Sequence, residues 1–85
     1  MNIANHQRKR LPTNLIYFLM DCHERDLMKF PPVEASHRSA KALIARGLLK
    51  AGEYANKNTP PFIGAYITPA GVYFLEELLK KIPPQ

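Results

Sequence analysis

Three Pro-Pro pairs constrain the fold of this 85-residue chain more than any other feature of its sequence. Proline lacks a backbone N–H donor and fixes φ, so we expect no pair inside a helix or a central strand. The pairs therefore divide the chain into a helical front, a mixed middle and a helical tail. They are Pro31-Pro32, Pro60-Pro61 and Pro83-Pro84.

The composition is that of one small globular domain. Apolar residues make up 46% of the chain and charged residues 22%, which excludes a wholly disordered protein. No apolar run reaches the ~18–20 residues that a membrane-spanning helix needs, and no apolar core of a signal peptide follows Met1. Cys22 is the only cysteine, so an internal disulfide or a cysteine zinc site is excluded. We therefore expect a cytoplasmic protein with no membrane contact.

Positive charge is concentrated in two parts of the sequence. Twelve Lys and Arg against seven Asp and Glu give a net charge of +5. Arg8, Lys9 and Arg10 lie in an N-terminal segment without acids, and six further basic residues lie between Lys29 and Lys57. This distribution favours a polyanionic partner, most simply nucleic acid.

Capping residues indicate where two helices begin. Thr13 is a good N-cap for a first helix that ends between His23 and Lys29, before the first proline pair. Its apolar residues crowd nearly every face, so we expect a central, largely buried helix. A second helix has Ser36 as its N-cap and Gly47 at its C-terminal stop.

The second half of the chain predicts a hairpin and a last helix. Strands are expected at 48–55 and 62–67, joined by a polar loop at 56–61. Thr68 then caps a helix with Pro69 in its first position, which runs to about Ile82.

This order of elements, together with two short motifs, resembles a winged helix-turn-helix domain. Residues 36–49, SHRSAKALIARGLL, resemble a recognition helix and its exit. Residues 66–71, YITPAG, resemble the turn with which winged-helix regulators of the MarR and PadR kinds leave the wing. The resemblance implies an α+β, mainly helical fold with a two-stranded wing and a C-terminal helix, occupying 13–82 between a basic arm and a short tail. Those families have a short helix before the recognition helix, where this sequence offers only 30–35 or, as an alternative, 24–30.

The resemblance further implies binding of double-stranded DNA through the helix at 36–47 and the wing at 55–62. Arg38 and Lys41 are three residues apart and project together, although a merely solvated helix face is the alternative interpretation. The residues expected to contact DNA are Ser36, His37, Arg38, Lys41, Ala42, Arg46 and Lys50 from the helix and its exit, Asn56, Lys57 and Asn58 from the wing, and Arg8, Lys9 and Arg10 from the arm.

The last helix is a candidate dimer surface, because its apolar surface is wider than one small core uses. In related winged-helix regulators the terminal helices pair the subunits. We therefore expect a homodimer, with an interface formed by Val72, Tyr73, Phe74, Leu75, Leu78, Leu79 and Ile82. The alternatives are a protein-interaction module that uses the same helix, and an RNA-binding protein. RNA is the weaker alternative because Tyr17, Phe18 and Phe62 are expected to be buried.

Catalytic and metal sites are not indicated. Cys22 and His23 are adjacent, so on a helix they diverge by about 100° and cannot pair as nucleophile and base. The histidines lack the spacing of metal ligands, and the four glycines form no phosphate-binding loop. We expect a non-enzymatic protein without metal or cofactor. Its expected role is that of a transcriptional regulator or a plasmid- or phage-type accessory factor, associated with the nucleoid.

Overall fold

A computed structural model describes residues 11–81 of the chain. The predicted contacts at Arg8, Lys9 and Arg10 and the predicted interface residue Ile82 lie outside the described residues. The fold is α+β, with three helices and one three-stranded antiparallel sheet. In chain order the elements are α1 (Thr13–Met28), β1 (Val33–Glu34), α2 (Arg38–Ala45), β2 (Leu49–Asn56), β3 (Thr59–Ile67) and α3 (Pro69–Lys80).

The sheet contains one strand more than the predicted hairpin. β2 and β3 form the hairpin, in a register that runs from Leu49 opposite Ile67 to Asn56 opposite Thr59. The additional strand, β1, lies on the other side of β3, where Val33 pairs with Ala65. The order is therefore β1-β3-β2. β1 occupies the segment that was expected to supply a helix before Ser36, and no helix lies between α1 and α2.

The prediction that every proline pair lies outside the strands is wrong for Pro60-Pro61, which are part of the central strand β3. β1 reaches only Ala65 and Gly64, so no strand flanks the prolines on that side. On the other side the register between β2 and β3 shifts opposite this point. The prolines thus lie where the ladder is already interrupted, and their missing N–H groups are tolerated there. The expected loop at 56–61 shortens to 57–58.

α1 is buried on one face only, so the prediction of a largely buried helix is wrong. Leu15, Leu19 and Cys22 contribute to the core, whereas Tyr17 and Leu27 are each 66% exposed. The reason is that α2, α3 and β3 pack against the inner face and leave the outer face uncovered. The helix ends at Met28, within the predicted interval.

The N-caps of the first two helices differ from the prediction. Pro12, not Thr13, precedes the first residue of α1, and no side chain caps that end. His37, not Ser36, caps α2, because the imidazole Nδ1 accepts a hydrogen bond of 3.1 Å from the backbone N–H of Ser39.

The ends predicted from glycine and proline are confirmed. Gly47 follows α2 with φ of 77°, and its N–H donates to the carbonyl of Ile44. This is the left-handed conformation that glycine adopts most readily after a helix. Thr68 caps α3, and Pro69 is its first residue.

The core lies between α1, α2, α3 and the hairpin base. Its largest fully buried side chains are Leu19, Leu43 and Leu49, one each from α1, α2 and β2. The complete set of buried apolar residues is Leu15, Leu19, Cys22, Ala40, Leu43, Leu49, Ala65, Ile67 and Leu75. Because α2 contributes Ala40 and Leu43 to this core, its opposite face is held toward solvent.

Candidate nucleic-acid interface

The exposed face of α2 and the residues that follow it carry only positive charge. No acidic residue lies between Glu34 and Glu53, whereas four basic residues do. All four side chains are exposed, and they are Arg38, Lys41, Arg46 and Lys50. The hypothesis that Arg38 and Lys41 project from the outer face of the helix therefore agrees with the burial of Ala40 and Leu43 on the inner face.

The last turn of α2 holds Arg46 in place. Its Nη1 donates a hydrogen bond of 3.2 Å to the carbonyl oxygen of Ala42. A cation at the C-terminus of a helix also interacts favourably with the helix dipole. Ala42 itself is half-buried against the core, so it is less open to a ligand than the sequence implied.

The N-terminus of α2 is occupied by contacts within the chain. The Ser36 hydroxyl donates a hydrogen bond of 3.3 Å to the Glu34 carboxylate, which places a negative charge near the first turn. The His37 ring caps Ser39 and packs against Phe18, with the ring centroids 4.8 Å apart. Both predicted contact residues thus have local structural roles, and the carboxylate disfavours a phosphate at this end of the helix.

The hairpin turn is stabilised by its two asparagines. The Oδ1 atom of Asn56 accepts a hydrogen bond of 2.8 Å from the N–H of Asn58, and its Nδ2 donates one of 2.8 Å to the Tyr54 hydroxyl. The side chain of Asn56 is therefore engaged in shaping the turn. Lys57 is left exposed at the tip as its one cation.

The outer face of the hairpin carries an aromatic pair that the sequence reasoning did not identify as a surface feature. The Tyr54 and Phe62 rings lie opposite each other across the strands, with centroids 5.4 Å apart. Both are half-exposed. The sequence signal that could have revealed this pair is the alternation of side chains along each strand, which places Tyr54 and Phe62 on the same face of the hairpin. The expectation that Tyr17 is buried is wrong, because its side chain is 66% exposed on the face of α1 that leaves the core, while Phe18 and Phe62 are only partly buried.

Most of the predicted dimer surface on α3 packs inside the subunit. Leu75 is buried in the core, and Val72 and Phe74 pack against it. Leu78 is half-buried, while Tyr73 and Leu79 are exposed. Among the described residues of the predicted interface, Tyr73 and Leu79 are therefore the ones most open to a partner, while the others contribute at least in part to the core.

An apolar groove of about 260 Å³ lies between α1 and α3. One charged residue, Glu24, lines it, together with His23. The Nδ1 atom of His23 is buried and has no hydrogen-bond partner among residues 11–81. The complete lining is Met20, His23, Glu24, Leu27, Met28, Leu75, Leu78 and Leu79. Sequence reasoning missed this groove because it depends on how two distant helices pack.

The single cysteine is poorly suited to nucleophilic chemistry. Burial, and secondarily the nearby Asp21 carboxylate, raise the pKa of the Cys22 thiol to about 11. Within residues 11–81 no group of His, Cys, Asp and Glu side chains could hold a metal ion. No helix in the same range is long and apolar enough to cross a membrane.

Comparisons with known proteins give no match for this chain. Models of protein families, curated protein sequences and solved structures were each compared with it, and none is similar.

Proposed function

We propose that this protein binds double-stranded DNA through the exposed face of α2, with the β2–β3 hairpin as a second contact. The observation that carries the proposal is the run of four exposed cations between Glu34 and Glu53 without an intervening acid. Such a surface attracts phosphates and gains free energy by releasing their counterions. The role that follows is that of a small regulator or accessory factor without chemistry of its own.

The arrangement of elements supports a winged-helix interpretation. α2 is followed directly by a hairpin, and the strand that precedes α2 pairs with the second strand of that hairpin. One element departs from the helix-turn-helix pattern, because a single helix lies between β1 and β2. α1 packs against α2 instead, with Phe18 beside His37, and takes the supporting position.

The side chains of α2 suit contacts to the DNA backbone and to guanine. Arg38 can donate two parallel hydrogen bonds to a phosphate or to the O6 and N7 atoms of guanine, whereas Lys41 acts as a point charge. α2 has eight residues and therefore rises about 12 Å, which is comparable to the width of the major groove. Arg46 and Lys50 lie beyond the helix and suit phosphate contacts.

The test is a comparison of two double variants that remove the same charge. Fluorescence anisotropy of a labelled duplex of random sequence gives the affinity of the wild type, Arg38→Ala/Lys41→Ala and Lys80→Ala/Lys81→Ala at one salt concentration. Removing two phosphate contacts should weaken binding about tenfold or more, while removing two cations from the end of α3 should change it much less. Equal losses in both variants, or no binding by the wild type at low salt, would overturn the proposal.

A protein-interaction module is the second candidate, and the α1–α3 groove is the observation that favours it. The two candidates use different residues. DNA binding requires Arg38 and Lys41, neither of which lines the groove, whereas protein binding requires Leu27 and Leu79, which do. Absence of duplex binding by the wild type would leave the groove as the candidate binding surface and favour the second candidate.

A further inference from the structure

The outer face of α1 carries an apolar stripe that nothing in the described chain covers. Its apolar residues are Tyr17, Met20 and Leu27, and Glu24 interrupts it; these four positions are three, four and three residues apart. This is the spacing with which one helix packs along another. Glu24 follows the buried Leu15 by nine residues, or two and a half turns, so Glu24 lies on the outer side of α1, whereas Met20 and Leu27 lie on the flank next to α3.

The stripe continues into the groove between α1 and α3. Met20, Glu24 and Leu27 belong to both, and Met28 and Leu79 extend the apolar surface on either side of the groove. Met28 is 54% and Leu79 58% exposed. A ridge of side chains and a groove of about 260 Å³ therefore lie next to each other on one face of the molecule.

The size of this surface matches one half of a protein dimer. Tyr17, Met20, Leu27, Met28 and Leu79 together expose roughly 500 Å² of surface, the size of the largest apolar patch on a typical monomer, which is often functional. A standard interface buries about 800 Å² on each partner, of which about 55–65% is apolar, so an apolar area near 500 Å² is what such an interface uses.

We propose that the partner on this surface is a second copy of the chain, paired about a two-fold axis that runs through the α1 stripe. A two-fold interface requires each copy to supply both the inserted side chains and the groove that receives them. This face supplies both. The four cations of α2 and its exit belong to neither the stripe nor the groove, so the pairing does not require them.

Glu24 limits the strength of this pairing. It is the one carboxylate in the groove, and pairing removes both of its copies from water without a Lys or Arg partner among the residues that line the groove. Replacing Glu24 by leucine completes the apolar stripe and removes that desolvation cost. The Glu24→Leu variant should therefore pair more tightly than the wild type, by about tenfold.

The test is sedimentation equilibrium of the full-length chain without DNA, so that it is independent of the proposed function. The wild type should dimerise between about 1 and 100 µM, and Tyr17→Lys/Leu27→Lys should weaken pairing about thirtyfold or more. Ile63→Lys is the matched control, because Ile63 is an exposed apolar residue of the hairpin that lies outside the stripe and the groove. Circular dichroism verifies that each variant is folded.

Loss of the dimer in the stripe variant but not in Ile63→Lys, with tighter pairing by Glu24→Leu, supports the proposal. A wild-type protein that stays monomeric throughout this range overturns it. A dimer that survives Tyr17→Lys/Leu27→Lys also overturns it, since the copies would then pair through another face.

Discussion

The hydroxyl of Thr68 donates a hydrogen bond of 2.8 Å to the carbonyl oxygen of Gly47, 21 residues earlier in the chain. The Oγ1 atom of Thr68 also accepts a hydrogen bond of 3.0 Å from the N–H of Gly71 and so caps α3. One side chain thereby connects the glycine that ends α2 to the first turn of α3. The two motifs at 36–49 and 66–71 are thus joined in the structure, and the basic helix is held at a fixed position relative to α3.

Replacing Thr68 by valine should destabilise the protein by about 1–2 kcal/mol, because both hydrogen bonds of the hydroxyl are lost while the shape is kept. Thr68→Ser retains the hydroxyl and is the matched control. Urea unfolding followed by circular dichroism measures both. Equal stabilities of the two variants would show that the hydroxyl contributes nothing.

Gly71 is required for the close approach of α3 to the end of α2. A Cβ at this position would collide with the carbonyl oxygen of Leu48 and lie 2.7 Å from Cγ1 of Ile67. We expect Gly71→Ala to cost about 2 kcal/mol or more in the free energy of unfolding.

Gly47→Ala provides the comparison for Gly71→Ala. Its Cβ would have open space, but the φ of 77° strains any residue other than glycine. The expected cost is about 1 kcal/mol, so Gly71→Ala should be the more destabilised variant in the same urea titration. The reverse order would contradict the packing described here.

The cap of α2 depends on the imidazole of His37. His37→Ala removes the acceptor for the Ser39 N–H, whereas His37→Asn keeps a side-chain acceptor at the N-cap. Both variants lose the contact with Phe18, so the difference between them isolates the cap. Asparagine should be more stable than alanine by about 1 kcal/mol in thermal or urea unfolding. Equal stability would mean that the cap is unimportant.

The buried thiol makes stability dependent on alkaline pH. Because burial raises the pKa of Cys22 from 9.0 to about 11, the unfolded chain loses this proton at lower pH than the native protein does. The resulting stability is fully present below pH 9 and is lost as the pH rises toward 11.

Unfolding free energies of the wild type and Cys22→Ala at pH 8 and pH 10.5 measure this contribution. The wild type should lose roughly 1–2 kcal/mol more than the variant between these two pH values. A parallel decline of both proteins would show that the thiol does not contribute. Because the two proteins share every other ionisable group, the difference between their losses isolates the contribution of the thiol.

Features set by neighbouring residues were predictable from the sequence. Gly47, Thr68 and Pro69 act through backbone preferences and hydrogen bonds within a turn, so their roles follow from local chemistry. The exposure of Arg38 and Lys41 likewise followed from the helical spacing of Ala40 and Leu43.

Features set by distant contacts were not predictable. β1 has two residues, and it is a strand only because Val33 meets Ala65 of β3. His37 displaces Ser36 as the cap because its ring rests on Phe18 of another helix. The groove likewise requires two helices that are distant in sequence.

The central claim, that α2 carries the DNA-binding face, is tested most directly by the salt dependence of duplex binding. Each phosphate contact contributes about −0.9 to the slope of log affinity against log salt concentration. The four cations of α2 and its exit predict a slope of roughly −4, which Arg38→Ala/Lys41→Ala should reduce in size by about 2. Lys80→Ala/Lys81→Ala should leave it nearly unchanged. A slope near zero for the wild type, or an equal change in the two variants, would contradict the account.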